Sequence, residues 1–235
     1  MINKTTEYLN SLRIASTLLL AAGLLFFTGC NLGIDGQLVS NITEFEEAVE
    51  NIQPGETIVL KNGVWEDVEL RFKGIGTEGE PITLTAETPG EVVISGESNL
   101  AFSGEYLVIS GLVFKNGYTP TSEVISFKTG KSELANNSRV TNIVIDNFTN
   151  PERFDSDTWV AIYGKNNRFD HNSLIGKGNR GVSLAVKLST EESRENNHLI
   201  ESKRGLRLKW RRNSKDWYQP LFIDRLPHIG QKELF

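Results

Sequence analysis

The chain has 235 residues, of which 38% are hydrophobic and 23% are charged, a composition typical of a folded protein and too apolar for a disordered one. Its 25 Lys and Arg against 30 Asp and Glu give a net charge of -5, so no nucleic-acid partner is expected. A single cysteine excludes a disulfide framework and a cysteine-based metal cluster within the chain.

Residues 1–29 have the layout of an export signal. Two basic residues precede an apolar run from Leu18 to Phe27, which is about half the roughly 20 residues that a membrane-spanning helix needs. Residues 27–30, Phe-Thr-Gly-Cys, resemble the lipobox of bacterial lipoproteins, in which the cysteine is acylated. The sequence therefore predicts a lipoprotein signal peptide, a membrane anchor at Cys30 and an exported protein in the periplasm or at the cell surface. The alternative is an ordinary cleavage site at which Cys30 has no role.

A linker over residues 30–41 leads into one predicted helix at 42–49. Thr43 can cap the start of this helix, and Glu46 stands three residues later, as in a capping box. The apolar residues of the segment share one face, which suits a helix that covers the end of a larger apolar core.

From residue 57 onward the pattern changes to brief β-type runs that are separated by glycines. These runs lie too close together for helices to cross between them, which excludes an ordinary α/β layout. A sandwich, a barrel and a parallel β-helix remain. The runs cover residues 57–60, 68–72, 81–86, 92–95, 100–103 and 106–114.

Internal similarity favours the β-helix. The run from Val140 to Phe148 is echoed from Asn166 to Leu174, and the interval of roughly 25 to 35 residues suits the coils of a solenoid. Asn147 and Asn172 follow short strands and are expected to turn the chain in the left-handed region and to bond to the next coil. The sequence predicts an all-β fold, a right-handed parallel β-helix whose capping helix and early coils span 42–201. A β-sandwich is the alternative.

Six short segments support a more specific interpretation. They are PGETIVLKNG at 54–63, GTEGEPITLTAE at 76–87, SGLVF at 110–114, WVAIYG at 159–164, FDH at 169–171 and GK at 176–177. Together they resemble polysaccharide lyase family 6, which contains alginate lyases and chondroitinase B, over about residues 37–201. The resemblance implies an exported lyase that cuts an acidic polysaccharide, alginate or a chondroitin or dermatan type, by β-elimination.

The resemblance also implies a calcium-assisted reaction. In the family, an Asn and two carboxylates hold calcium, which neutralises the uronate carboxylate, a Lys removes the C5 proton, and an Arg assists the leaving oxygen. These residues lie in later coils, and none can be matched here, because Lys209 stands where the Asn of an Asn-Gly-Gly-Glu motif is expected. The chain as printed is therefore expected to retain no catalytic residue and to bind no calcium. The alternative function is a noncatalytic β-helix lipoprotein that binds polysaccharide.

Residues 202–235 differ in composition from the rest of the chain. They have nine basic and three acidic residues, whereas residues 1–201 have 16 and 27. One interpretation is a basic tail that binds an anionic polymer. The favoured interpretation is a change of reading frame, because the codons of Trp210 and Trp217, read one nucleotide later, force glycines seven residues apart, as the family motif requires. An aberrant and poorly packed tail is predicted.

Three side chains are candidates for binding the acidic polysaccharide. Lys177 and Arg180, in the glycine-rich stretch 176–181, could project into a groove that takes uronate carboxylates, although a solvated loop is the alternative. His171, beside Asp170, could act as a base. A turn histidine that pairs with a local carboxylate is the favoured interpretation of His171.

Overall fold

The computed structural model describes residues 35–188 and 196–202, together with the backbone of 206–209 and 224–225. The predicted signal peptide, Cys30 and most of the predicted aberrant tail lie outside the described residues, so those expectations stay predictions. Within the described part, no helix is long and apolar enough to cross a membrane.

One helix, α1 (Ile42–Asn51), follows the first strand and begins one residue after its cap. The side-chain Oδ1 of Asn41 accepts a hydrogen bond from the backbone N–H of Glu44 at 3.0 Å, and Glu44 in turn accepts from the backbone N–H of Ser40 at 2.7 Å. The predicted helix is confirmed, but its predicted cap is wrong. The chain is already helical at Thr43, so the capping pair is Asn41 and Glu44.

The strands of the described residues form three sheets, which the chain visits in turn. Sheet A contains β1 (Gln37–Val39), β2 (Thr57–Leu60), β5 (Ile82–Ala86), β8 (Leu107–Ser110), β12 (Arg139–Thr141), the first half of β15 (Arg168–Ile175) and β17 (Leu199–Ser202). Sheet B contains β3 (Gly63–Glu66), β6 (Val92–Glu97), β9 (Leu112–Tyr118), β13 (Val144–Asp146) and the second half of β15. Sheet C contains β4 (Glu69–Ile75), β7 (Asn99–Glu105), β10 (Glu123–Ser126), β11 (Ala135–Asn136), β14 (Asp157–Ile162) and β16 (Gly181–Val186).

Successive coils stack in parallel register. Along sheet A the aligned residues are Thr57, Thr83, Val108, Arg139, Arg168 and Leu199, so each coil advances by between 25 and 31 residues. The parallel β-helix predicted from the sequence is confirmed. Beyond β17 the pairing changes, because the backbone strands β18 (Leu206–Lys209) and β19 (Asp224–Arg225) add antiparallel. The side chain of Lys209 lies outside the described residues.

Apolar side chains of equivalent positions fill the interior of the coils. Leu70 of β4 is aligned with Leu100 of β7, which is aligned with Ile125 of β10, and all three are fully buried. Two residues further on, the rings of Phe102 and Phe127 pack against each other at a tilt of 54°, with centroids 4.4 Å apart. The core is therefore a set of columns that run along the axis of the β-helix, and burial of these columns stabilises the stacked coils.

The corners of the coils use left-handed backbone conformations. Asn147 has φ 50°, as expected from the sequence. In the next coil, however, His171 has the left-handed conformation, with φ 58°, instead of Asn172. The reason is register: His171 is equivalent to Asn142, a left-handed residue with φ 54°, because the preceding Asp170 is aligned with Thr141. Asn172 does bond to the neighbouring coil, where its Oδ1 accepts from the N–H of residue 143 at 2.7 Å.

A column of buried polar side chains links the coils at the corner before sheet A. Ser138 Oγ accepts from the N–H of Leu107 at 3.0 Å, and Asn167 Oδ1 accepts from the N–H of Ser138 at 2.9 Å. His198 Nδ1 accepts from the N–H of Asn167 at 3.1 Å. Each side chain thus satisfies a peptide N–H of the preceding coil, which would otherwise be a buried donor without a partner.

We expect this column to make the fold sensitive to mild acid. Burial lowers the pKa of His198 to about 4, below its ordinary value of 6.5. Because the unfolded chain takes up the proton first, the contribution of His198 to stability is complete above about pH 6.5 and is lost as the pH falls towards 4. The loss of unfolding free energy between neutral pH and about pH 5 should be up to about 2 kcal/mol.

Urea unfolding of the wild type and of His198→Gln at several pH values measures this loss. The glutamine can accept the same N–H but does not titrate, so the acid-dependent loss should shrink in the variant. An identical pH profile for the two proteins would contradict the assignment to His198.

Candidate functional site

Asp170, on sheet A, is a fully buried carboxylate that contacts three basic side chains. Arg139 donates through Nε and Nη2 to its two oxygens at 2.8 and 2.7 Å. The Nη2 of Arg168 lies 2.8 Å from Asp170 Oδ2 and 3.2 Å from Glu201. His171 Nδ1 lies 2.8 Å from the same Oδ2. The network joins β12, β15 and β17, so it ties three successive coils together.

The charge of Asp170 is set by these partners. Burial by itself would raise its pKa, but the hydrogen bonds from Arg139 and His171 and the charges of Arg139 and Arg168 outweigh burial and hold the pKa at about 2. A carboxylate that is ionised and fully paired at neutral pH is a poor proton acceptor. The structure therefore places His171 at a turn beside a carboxylate that holds the coils together, which is the arrangement that the favoured interpretation expects. A role of His171 as a base stays the untested alternative.

Lys177 and Arg180 lie in the link between β15 and β16, but they differ in exposure. The ammonium of Lys177 forms an ion pair with Asp157 and donates to Asn179 Oδ1 at 2.9 Å, and its side chain is only 8% exposed. Asn179 also donates to Asp157 Oδ2 at 2.6 Å. Lys177 therefore does not project from the surface, whereas Arg180 is exposed. Binding of uronate stays a prediction for both, and for Lys177 it requires the pair with Asp157 to open.

The three predicted binding residues are not gathered at one place. His171 stands at the corner between sheets A and B, whereas Lys177 and Arg180 lie between sheets B and C. Within the described part of the chain, no hydrogen bond or ion pair joins His171 to either of the other two.

Sequence reasoning missed a second polar cluster, on sheet C. The buried carboxylate of Glu123 accepts from Ser126 Oγ at 2.5 Å, from the Tyr163 hydroxyl at 2.6 Å and from Lys187 Nζ at 2.7 Å. The ammonium of Lys128 lies 4.1 Å from the centroid of the Tyr163 ring. The sequence contains one feature that could have indicated this cluster: Lys128, Tyr163 and Lys187 each directly follow an apolar strand segment.

Burial and hydrogen bonding also set the ionisation in this cluster. Burial by itself would raise the pKa of Glu123, but the hydrogen bonds from Lys187, Ser126 and Tyr163 outweigh it and lower the pKa below its usual range. Burial and the bond to Glu123 raise the pKa of Tyr163. At neutral pH the cluster therefore holds an ionised Glu123 and a protonated Tyr163.

The described residues offer no ready site for the calcium that the family resemblance implies. Across 35–188 and 196–202, no three His, Cys, Asp or Glu side chains lie together as a metal-binding group. Two buried carboxylates, Asp170 and Glu123, already bind basic side chains of this chain. We therefore assign none of the described residues to calcium.

Solved structures similar to this chain are polysaccharide lyases. Over 71% of its length the chain is 52% identical to the family 6 alginate lyase AlyGC, with a TM-score of 0.70, and the match covers 23% of that protein. A mannuronic acid-specific family 6 lyase from human gut microbiota is 33% identical over 71% of this chain and 39% of its own, with a TM-score of 0.65. The family 6 lyase Pedsa3628 from Pseudopedobacter saltans is 29% identical, with a TM-score of 0.61. This match covers 71% of the present chain and 38% of Pedsa3628.

The chain spans less than half of the length of each of these three proteins. No curated protein matches the sequence. A family model described as chondroitinase B matches residues 39–204, a range that contains strands β2 to β17. From the stacked parallel coils and these matches, we conclude that the chain belongs to polysaccharide lyase family 6, the family of chondroitinase B and of alginate lyases.

Proposed function

We propose that this chain forms the N-terminal coils of a lyase that cleaves a uronate polysaccharide, with alginate as the favoured substrate. The observation that supports alginate is the 52% identity to an alginate lyase across 71% of the chain. The second relative is described as specific for mannuronic acid, which is a building block of alginate. Export and a lipid anchor at Cys30 are part of the same proposal and rest on the sequence alone.

The reaction proposed is a β-elimination. A base removes the proton at C5 of the uronate, a double bond forms between C4 and C5, and the bond between C4 and the glycosidic oxygen breaks. The glycosidic oxygen takes up a proton and becomes the hydroxyl of one fragment, while the other fragment ends in an unsaturated uronate. The C5 proton becomes acidic only when the neighbouring carboxylate is neutralised, which calcium does in the family. The contribution that we assign to the described coils is binding of the acidic polymer, and we assign proton transfer to later coils of the family fold.

We also propose that the reading frame changes near Ser202. Three observations support this: the charge balance inverts after residue 201, the codons of Trp210 and Trp217 force glycines at the spacing of the family motif, and the family match ends at residue 204. Sequencing the DNA across codons 195 to 240 tests the proposal directly, and an uninterrupted frame with unambiguous reads would overturn it.

The function is tested by comparing the printed chain with the product of a gene whose frame is restored. With calcium and alginate, the restored protein should release the unsaturated uronate, which is followed by its ultraviolet absorbance, and a chelator should abolish the release. The printed chain should give no absorbance above a buffer blank. Dermatan sulfate and chondroitin sulfate are assayed in parallel, because they are the other substrates of the family.

Two outcomes would contradict the proposal. A restored, folded and calcium-loaded protein that binds alginate without ever producing the chromophore would favour the noncatalytic binding module. Metal-dependent turnover by the printed chain would show that the catalytic residues lie elsewhere in it.

A further inference from the structure

A buried polar cluster lies at the corner between sheets B and C. We name it the corner cluster, and its members are Lys177 and Asn179 in the link between β15 and β16, Asp157 at the start of β14, and Thr149 between β13 and β14. The side chains of Lys177 and Asp157 are only 8% and 5% exposed, and Asn179 is buried. An amine, a carboxylate and an amide are thus enclosed together.

The amine of Lys177 lies beside the side-chain amide of Asn179. Lys177 Nζ donates to Asn179 Oδ1 at 2.9 Å. Because a C=O bond is about 1.2 Å long, the carbon of this amide lies within about 4.1 Å of Nζ. Reacting atoms in a near-attack arrangement are about 3 to 3.5 Å apart. A small rotation of the lysine side chain therefore brings its nitrogen to the amide carbon.

Asp157 contacts both partners of such a reaction. Its Oδ1 forms the ion pair with Lys177, and its Oδ2 accepts from Asn179 Nδ2 at 2.6 Å. The same carboxylate can take a proton from the attacking nitrogen and pass a proton to the leaving nitrogen, which is general base and general acid catalysis. Neither proton has to travel through water.

Thr149 acts on the oxygen of the same amide. Its Oγ1 accepts from the backbone N–H of Asn179 at 2.9 Å, so the hydroxyl hydrogen points elsewhere and is donated to Asn179 Oδ1 at 2.7 Å. A donor that is fixed on this oxygen stabilises the negative charge that develops there when the amide carbon is attacked. Thr149 therefore polarises the amide in the direction that the reaction needs.

The neighbouring residues hold the corner cluster in place and keep it dry. Asn179 Nδ2 also donates to the carbonyl of Asp155 at 2.9 Å, which orients the amide. The buried ring of Trp159, whose centroid is 5.4 Å from the Lys177 ammonium, closes one side. Charges are costly to keep in such a site, so a reaction that replaces the ion pair by neutral groups is favoured.

We propose that the corner cluster forms an intramolecular isopeptide bond between Lys177 and Asn179. Lys177 Nζ gives one proton to Asp157 and attacks Cγ of Asn179. The bond between Nζ and Cγ forms, the bond between Cγ and Nδ2 breaks, and Nδ2 leaves as ammonia with a second proton of the lysine. The third proton stays on the new amide, and Asp157 remains as a neutral carboxyl. The reaction needs no oxidant, cofactor or further reactant, and it does not depend on the proposed lyase activity.

The cross-link changes the chemistry of the link between β15 and β16. It closes a ring over residues 177–179, which locks the backbone of this segment. It also consumes the cation of Lys177. Of the two residues of this link that are predicted to bind uronate, only Arg180 then keeps its charge.

Peptide mapping of the folded full chain by mass spectrometry tests the proposal. Trypsin should not cut after Lys177, so residues 169–180 should be recovered as one peptide that is about 17 Da lighter than its sequence, the mass of one ammonia. Tandem spectra should show no fragments from breaks between residues 177 and 179. Hydroxylamine should leave the loss in place. A succinimide at Asn179 has the same mass, but hydroxylamine opens it.

Variants separate the chemistry from the fold. Lys177→Arg keeps a cation beside Asp157 but has no amine that can form the amide, so the loss of ammonia should disappear. Asp157→Asn keeps the shape of the side chain without the base and should lower the cross-linked fraction at least about tenfold at equal times. The matched control is Lys131→Arg, at an exposed lysine, which should react as fully as the wild type. Circular dichroism confirms that each variant is folded.

Three results would overturn the isopeptide bond as proposed. The first is an aged, folded wild type in which trypsin cuts after Lys177 and Asn179 has its full mass. The second is a loss of about 18 Da that joins Lys177 to the peptide of Asp157, because water then leaves and Asp157 is the acyl donor. The third is cross-linking of Asp157→Asn at the wild-type rate. None of these results bears on the proposed function as a lyase.

Discussion

Asn167→Ala should lower the free energy of unfolding by about 3 to 4 kcal/mol, because several buried polar groups lose their partner at once. The Asn167 amide donates to the carbonyls of Ala135 and Tyr163, both at 2.7 Å, and its Oδ1 accepts from the N–H of Ser138 at 2.9 Å. Asn167 is only 1% exposed, so water cannot replace these bonds in the folded state. Urea unfolding followed by tryptophan fluorescence measures the change.

The neighbouring Asn166 provides a matched control. It is exposed and donates to Asn137 at 3.1 Å, and its φ of 54° adds a left-handed backbone cost for alanine. Because Asn166 is exposed, Asn166→Ala should cost less than Asn167→Ala, about 1 to 2 kcal/mol, most of it from the left-handed backbone. Asn167→Ser should fall between the two, because Ser138 shows that a hydroxyl can accept the N–H at the equivalent position of the preceding coil. Equal losses for Asn166→Ala and Asn167→Ala would refute a special role of the buried column.

Asp170→Asn should lower the free energy of unfolding by about 2 to 3 kcal/mol at neutral pH. The asparagine has the same shape but no charge, and its amide nitrogen would face the donors of Arg139 or Arg168. The loss is smaller than for a fully buried ion pair, because both arginine side chains are 40% exposed and regain water. The control is Asp146→Asn on sheet B, whose pair with Lys115 at 3.3 Å is more exposed and should contribute less than about 1 kcal/mol.

The pH dependence of the unfolding free energy distinguishes the effect of the charge of Asp170 from the effect of its packing. The pKa of Asp170 in the folded chain, about 2, is below its ordinary 3.8, so its contribution is present above about pH 4 and is lost as the pH falls towards 2. Stability of the wild type should therefore converge towards that of Asp170→Asn across this range. Two curves that stay parallel down to pH 2 would show that the variant acts through packing alone.

The sequence was sufficient to predict the capping helix, the parallel β-helix and the family. These features depend on patterns that are local or that repeat: alternation of apolar residues within a strand, glycine and asparagine at corners, and a coil interval that recurs. The errors were also local. Asn41 replaces Thr43 as the helix cap, and His171 replaces Asn172 at a corner, because one step of register decides which of several suitable residues stands at the turn.

The side-chain clusters were decided by the stacking of the coils. Lys177 belongs to a glycine-rich stretch for which a solvated loop was one interpretation of the sequence. In the structure its ammonium forms a buried ion pair with Asp157, which lies twenty residues earlier. Lys128 and Lys187 are separated by two coils, and they meet over the ring of Tyr163 only because each follows a strand in the same register. The repeat along the chain was thus determined by the sequence itself, while the partners across coils were set by the tertiary structure, since parallel register brings together residues that no local pattern relates.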